Sequence, residues 1–277
     1  MQAFATRHGA DVVQTARARH AGDLARQALV DGCELIVAVG GDGTMNEIAG
    51  ALVGSNGILG LVPCGSGDGL GRHLGLHGPV ERALEHLVAG QPRTIDSGLA
   101  DGHPFFTVAG LGFEAEIAQR FNRLQRRGFF RYLSTSLAAL RTWQPQALTI
   151  VRNGEREPVR AFTLAVANTD QYGNDAFIAP TARVDDGLLD LCAVPPVGWL
   201  NAVPLAMRLF TGTLRGARGV VLRRGERFVV ERPSAGPIHT DGEIHEAGRS
   251  VEFRVRPASL RIMTPVAPNA ARKTTAP

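Results

Sequence analysis

Glu34-Leu35-Ile36-Val37-Ala38-Val39 runs without a break into Gly40-Gly41-Asp42-Gly43-Thr44, and MNEIAGALVG (Met45 to Gly54) follows directly. The first six residues form a short apolar run that predicts a strand buried on both faces. The last ten have helical apolar spacing and close on Gly54. Between them a strand hands over to a helix through a glycine turn. Glycines there let the backbone approach a phosphate, and the first N–H groups of the helix supply donors. Asp42 adds a carboxylate suited to Mg²⁺ or a water.

Upstream, AGDLARQALVD (residues 21–31) spaces Leu24, Ala28 and Leu29 as a helix, with Gly32 to end it. Before that, Asp11 to Thr15 predicts a strand, and Met1 to Gly9 reads as the end of a helix. Downstream, a second short strand, Ile58 to Val62, leads into Pro63-Cys64-Gly65-Ser66-Gly67-Asp68-Gly69. PVERALEHLVAG is a further helix stopped by Gly90. Helix and apolar strand alternate, which predicts a parallel α/β sheet over residues 1–98. Open sheets of that kind bind ligands at the carboxyl ends of their strands, and here two glycine turns stand at successive strand ends. A phosphate-rich ligand is the expectation.

After Asp96 the texture changes. FFTVAGLGF, ALTIVRN, AFTLAVAN, LLDLCAV, RFVVERP and SVEFRVRP read as short strands, interrupted by one arginine-rich helical segment from Glu114 to Trp143. This spacing predicts an antiparallel β-sandwich over residues 99–267. The tail, 268–277, is polar and small-residue, and is expected to be disordered.

Composition excludes several function classes. Nearly all positive charge is arginine, and the one lysine is Lys273 in the tail. P-loop NTPases, protein kinases with a strand lysine and pyridoxal-phosphate enzymes all need a lysine elsewhere. A net charge of +4 is too small to argue for nucleic acid. Cys33, Cys64 and Cys192 form no pair at metal or disulfide spacing, which suits a reducing cytoplasm. No apolar run approaches the roughly 20 residues that span a bilayer, so membrane contact is expected to be peripheral.

GGDGT followed by Asn46-Glu47, together with PCGSGDGLGRHLGL, resembles the diacylglycerol kinase and sphingosine kinase catalytic-domain family. The likeness continues through IDSG (Ile95 to Gly98), VAGLGFEAE (Val108 to Glu116), ANTDQYGN (Ala167 to Asn174), IAPTARVDDGLLDL (Ile178 to Leu191) and HTDGE (His239 to Glu243). The resemblance implies a phosphofructokinase-like nucleotide domain followed by a β-sandwich, with ATP in the cleft between them. ATP would touch Thr15, Gly40, Gly41, Asp42, Gly43, Thr44, Met45, Asn46 and Glu47, and Gly65 and Ser66 in the second turn. Mg²⁺ would be held by the Asp186 side chain and the backbone carbonyls of Arg183 and Leu188. The general base would lie in Asp241-Gly242-Glu243, with Glu243 the family's usual assignment. The implied activity is transfer of the ATP γ-phosphate to a hydroxyl of a diacylglycerol-like or sphingoid-base lipid at a membrane surface.

The residues themselves are consistent with that chemistry. Phosphoryl transfer needs donors around the phosphates, a metal against them and a carboxylate to orient the hydroxyl. Asp241 and Glu243 alternate, so on an extended segment both would face one side. The bland alternative is an acidic turn between strands. Three departures from the family pattern stand out. No N-P-x-x-G turn opens the chain, which leads to the expectation of roughly 20–30 further residues upstream. Asp68 stands where asparagine is frequent, and Glu114 where aspartate is usual.

Other readings remain. An NAD kinase also uses GGDGT, but lacks the PCGSGDGLGRHLGL and DDGLLDL segments. An inactive nucleotide-binding regulatory module is a further alternative, and a homodimer is compatible with the sequence. His73 and His77 have helical spacing without a third metal ligand. Arg123, Arg126, Arg127, Arg131 and Arg141, interleaved with Phe121, Phe129, Phe130 and Tyr132, suit either an anionic membrane or plain packing.

Overall fold

The computed structural model describes residues 2–65, 67–113, 115–116, 143–198 and 201–266. The chain opens with helices α1 (Gln2–His8) and α2 (His20–Val30), then strand β1 (Leu35–Gly40), α3 (Asp42–Leu52), β2 (Ile58–Pro63), α4 (Gly69–His73) and α5 (Val80–Ala89). β1 and β2 pair in parallel from Leu35↔Ile58 to Gly40↔Pro63. α3 packs Met45, Ile48, Ala49 and Leu52 against Ile36, Ala38, Leu59 and Leu61 on one sheet face. On the other face α5 packs Ala83 and Leu87 against Val62.

Two expectations fail here. Residues 10–16 form no strand and are exposed. A strand needs a ladder partner, and β1 pairs with β2 alone among the described residues. For the same reason β1 is not buried on both faces. Ile36 and Ala38 are covered, while Val39 stays 41% exposed beside an open edge.

The remaining strands build the sandwich. They are β3 (Gln91–Ala100), β4 (His103–Phe105), β5 (Val108–Gly112), β6 (Gln146–Arg152), β7 (Glu155–Ala161), β8 (Thr163–Ala167), β9 (Leu189–Val194), β10 (Val221–Gly225), β11 (Arg227–Glu231), β12 (Gly236–Thr240), β13 (Glu243–Ala247) and β14 (Ser250–Thr264). One helix, Ala202–Phe210, interrupts them after β9. Six strands in the order β10-β9-β8-β5-β12-β13 form an antiparallel sheet. Its inner face meets β6, β11 and β14 through Leu111, Leu164, Leu191, Phe228 and Phe253.

The second sheet joins the two halves of the molecule. Its order is β1-β2-β14-β11-β6-β7, with β3 also paired to β14 and β4. β14 begins in the sandwich against β11, shifts register between Arg256 and Leu260, and ends in parallel with β2 at Arg261 and Ile262. The boundary expected at 98/99 therefore falls inside β3, and the last strand of the sandwich returns to complete the N-terminal sheet. Pairing across two hundred residues leaves no local trace in the sequence. The tail 268–277 lies outside the described residues.

Candidate active site

β1 and β2 deliver their glycine turns side by side, because parallel neighbours end at the same level. Cys64 donates its N–H to the Gly40 carbonyl at 2.8 Å, which ties the turns together. They then touch: a Cβ on Gly65 would stand 2.7 Å from the Gly41 Cα, and one on Gly67 would stand 2.5 Å from Asp42 Oδ2. Two glycines of the second turn thus serve the packing of one turn on the other. The pocket between them is lined by Ala38, Gly40, Gly41, Asp42, Met45, Leu61, Pro63, Gly65 and Asp68.

α3 starts at Asp42 with Gly41 as its N-cap, and no side chain caps it. Met45 is the first residue to donate back to Gly41, at 3.1 Å. The N–H groups of Asp42, Gly43 and Thr44 consequently lack intrahelical acceptors, and the helix end carries a partial positive charge. That is an anion site by construction. The Asp42 carboxylate accepts a long contact, 3.3 Å, from the Asp68 N–H. Among the described residues it has no other hydrogen-bond partner.

The sequence-predicted nucleotide contacts divide. Gly40, Gly41, Asp42, Met45 and Gly65 line the pocket, with Gly43 and Thr44 on the α3 turn beside it. Asn46 leaves its buried Oδ1 unpartnered among the described residues, an unmet acceptor in the motif. Glu47 is committed elsewhere. Its Oε1 accepts from the Arg19 N–H at 2.8 Å and Oε2 from the Ala21 N–H at 2.9 Å, which caps α2. Thr15 sits on the exposed segment 10–16, away from the pocket lining. Ser66 lies outside the described residues.

Asp68, noticed in the sequence only as a departure, lines the pocket. Its backbone is left-handed (φ 51), and its carboxylate is buried against His77 Nδ1 at 2.8 Å. Burial pushes its pKa up, and the His77 hydrogen bond opposes that. His73 has its own carboxylate, Asp170, at 2.8 Å. The two histidines are therefore partnered separately. Among the described residues no group of three His, Cys, Asp or Glu is arranged to hold a metal.

The acidic turn departs most from expectation. Asp241 (φ 49) and Gly242 (φ 87) form the two-residue turn between β12 and β13, so the two carboxylates do not share a strand face. Asp241 turns inward. Its Oδ2 accepts from the Phe106 N–H at 2.7 Å, and its Oδ1 from those of Thr107 and Val108 at 2.9 Å each. Burial pushes its pKa up to about 6, while the three N–H groups pull the other way. Glu243 is exposed at the start of β13. The Asp-Gly pair between alternating strands was the signal for a hairpin turn.

The other motif residues stitch the halves together. Asp96 is buried, accepting from the Gly187 N–H at 2.7 Å and the Ala258 N–H at 2.8 Å. Asn168 donates to the carbonyls of Asp96 and Phe106, at 3.0 Å each. Asp186 accepts from the Leu188 N–H at 3.1 Å and pairs with Arg224, which also reaches Asp190 at 3.2 Å. Both Asp186 oxygens are thus engaged, and a guanidinium already compensates the turn. In the expected Mg²⁺ set of Asp186, Arg183 and Leu188, the one carboxylate is thus paired with Arg224.

His245 stacks on His103 with ring centroids 3.8 Å apart, and its Nε2 lies 2.8 Å from Thr240 Oγ1. Burial, then the charges of His103, Arg19 and His239, pushes its pKa down to about 4. The hairpin carrying Glu243 is thereby pinned by a neutral imidazole.

Known proteins resemble this chain in sequence and in fold. Residues 2–100 match the diacylglycerol kinase catalytic domain, and residues 107–264 match the YegS C-terminal NAD kinase beta sandwich-like domain. The chain belongs to the diacylglycerol kinase family. It is 30% identical over 267 residues to a diacylglycerol kinase of Mycobacterium tuberculosis, covering 93% of this chain and 86% of the relative. It is also 30% identical over 264 residues to a probable lipid kinase YegS-like of Pseudomonas putida, covering 92% and 85%. In fold it resembles a putative diacylglycerol kinase from Bacillus anthracis, with a TM-score of 0.75 at 19% identity, covering 92% and 85% of the chains. An NAD kinase from Archaeoglobus fulgidus, solved with ATP, gives 0.55 at 13% identity, covering 95% and 87%. At these identities the structures speak to the fold alone. This protein is a member of a kinase family with an α/β nucleotide-type domain and a β-sandwich.

Proposed function

We propose that this kinase transfers the γ-phosphate of ATP to a hydroxyl of a diacylglycerol-like or sphingoid-base lipid. The observation that carries the proposal is the pair of touching glycine turns, with the free N–H groups of α3 and the Asp42 carboxylate at one pocket. In this reading the amides of Asp42, Gly43 and Thr44 bind phosphate oxygens, and Asn46 Oδ1 accepts from the nucleotide. Asp42 would hold Mg²⁺, which neutralises charge on the phosphates when bound. Glu243 takes the proton of the attacking hydroxyl. Asp241, saturated by three N–H groups, sets the position of the hairpin that carries Glu243. The lipid acceptor is supported by the relatives' descriptions as diacylglycerol kinase and lipid kinase. Among the described residues no helix is long and apolar enough to cross a membrane, so contact with the bilayer is peripheral in this proposal.

The test is phosphate transfer from labelled ATP to a panel of diacylglycerol, sphingoid bases, ceramide, phosphatidylglycerol and NAD. A labelled lipid is expected. Label on NAD alone, or on nothing while ATP binds, would replace the proposal by the NAD kinase or the regulatory-module reading respectively.

A further inference from the structure

The helix Ala202–Phe210 contains no buried residue. Leu205 and Leu209 lean on the core beneath the six-stranded sheet. The opposite side is bare: Val203 is 66% exposed, Met207 63% and Phe210 57%. Their spacing puts all three on one stripe. Pro204 and Ala206, also exposed, widen it. Scattered apolar residues are ordinary on a protein surface, but a continuous stripe marks an interaction site.

The surrounding charge says what the partner is. From Leu191 to Gly225 the sequence has no aspartate or glutamate and five arginines. Arg223 pairs with Glu157 on β7 of the other sheet, and Arg224 with Asp190 on β9 and Asp186 in the turn before it. Arg208 reaches the Thr213 carbonyl at 3.0 Å. Arg215 and Arg218, just beyond the helix, are exposed and have no carboxylate partner among the described residues. An apolar stripe edged by arginines without carboxylate partners, on a stretch of chain that carries no acid, is complementary to an anionic bilayer, with side chains among the acyl chains and guanidinium groups on lipid phosphates.

The helix is also wired to the candidate active site. The Leu209 carbonyl accepts the Phe177 N–H at 2.9 Å. In the loop leading to Phe177, Gly173 bridges to Asp68 of the second glycine turn, and Asp175 lies 3.6 Å from Arg72. One loop therefore separates the stripe from the pocket.

We infer that the Ala202–Phe210 helix, with Arg215 and Arg218, is the surface that docks this protein on anionic lipid bilayers. The choice of a bilayer as partner rests on the lipid-kinase reading above. The segment around residues 121–132, expected from sequence for this role, lies outside the described residues.

The test is co-sedimentation of the full chain with phosphatidylcholine vesicles, with and without phosphatidylglycerol. Two variants are compared with wild type: Val203→Asn/Met207→Gln/Phe210→Ser and Arg215→Glu/Arg218→Glu. The first should lower vesicle binding about tenfold or more, since three apolar side chains no longer leave water. The second should abolish the preference for phosphatidylglycerol. Both should keep the wild-type unfolding midpoint and phosphorylate a short-chain diacylglycerol in free solution as wild type does. Unchanged vesicle binding in both variants would overturn the inference. So would a wild-type dimer that the triple variant dissolves without loss of vesicle binding, which would make a second copy the occupant. If vesicle binding falls as expected but no form phosphorylates the short-chain lipid, the docking surface stands and the lipid-kinase reading fails.

Discussion

Asp42 and Asp241 occupy the same dipeptide, Asp-Gly, in two turns that both carry the family likeness, yet their surroundings are opposite. Asp42 opens a helix at the pocket and has one long contact, from the Asp68 N–H at 3.3 Å. Asp241 is enclosed and accepts three backbone N–H groups within 2.9 Å. A carboxylate with spare lone pairs beside bare helix N–H groups is available for a metal–phosphate cluster. One whose oxygens already serve the backbone is a fastener. The motif alone does not separate these roles; the count of protein partners does.

Removing the open carboxylate should have the largest effect. Asp42→Ala is expected to lower turnover by at least about 10²-fold while altering unfolding stability by less than ~1 kcal/mol. Near-normal phosphate transfer by this variant would remove the first turn from the chemistry.

The enclosed carboxylate should show the reverse balance. Asp241→Ala leaves the N–H groups of Phe106, Thr107 and Val108 without their acceptor. The expected loss is on the order of 3 kcal/mol, read from urea unfolding. A variant as stable as wild type would mean that the turn is not fastened in this way.

A smaller effect concerns pH. The folded His245 has its pKa pushed down to about 4 from the ordinary 6.5. Between those values the unfolded chain binds the extra proton at this residue, so the His245 contribution to stability is full above about pH 6.5 and is lost as the pH drops towards 4, while Asp241, raised to about 6, contributes in the opposite sense over much of that range. His245→Gln should flatten that part of the stability profile. An unchanged slope would assign the acid sensitivity to other groups.

Much of the fold was legible because its signals are local. The apolar run 34–39 and the helical spacing of 45–54 carry their own physics; the observed strand is displaced by one residue, and the observed helix starts three residues earlier, at Asp42. Asp11 to Thr15 failed because a short run with two valines and a threonine looks the same whether or not a partner strand lies beside it. β14 escaped for the opposite reason, since its second half is defined by β2 and β3, far away in the chain.

The site was legible as a set of motifs, less so as a set of roles. Gly65 looked like a nucleotide contact, and together with Gly67 it is also what lets the two turns touch. Glu47 sits in the motif but caps α2, 26 and 28 residues away, and nothing in the local sequence announces that partner. Asp68 is the converse. It read as a mere departure, and folding brings it to the pocket wall beside Asp42.

We propose that Glu243 takes the proton of the attacking hydroxyl and that Asp241 holds its hairpin in place. The most direct measurement compares Glu243→Gln with Asp241→Asn, recording the rate of phosphate transfer from ATP to lipid and the unfolding midpoint of each. Loss of a general base is expected to lower the rate of Glu243→Gln by about 10²–10⁴-fold with its midpoint unchanged. Asp241→Asn should lower the midpoint, because a neutral amide is a weaker acceptor for three N–H groups. Wild-type rates from Glu243→Gln at an unchanged midpoint would show that Glu243 is not the base.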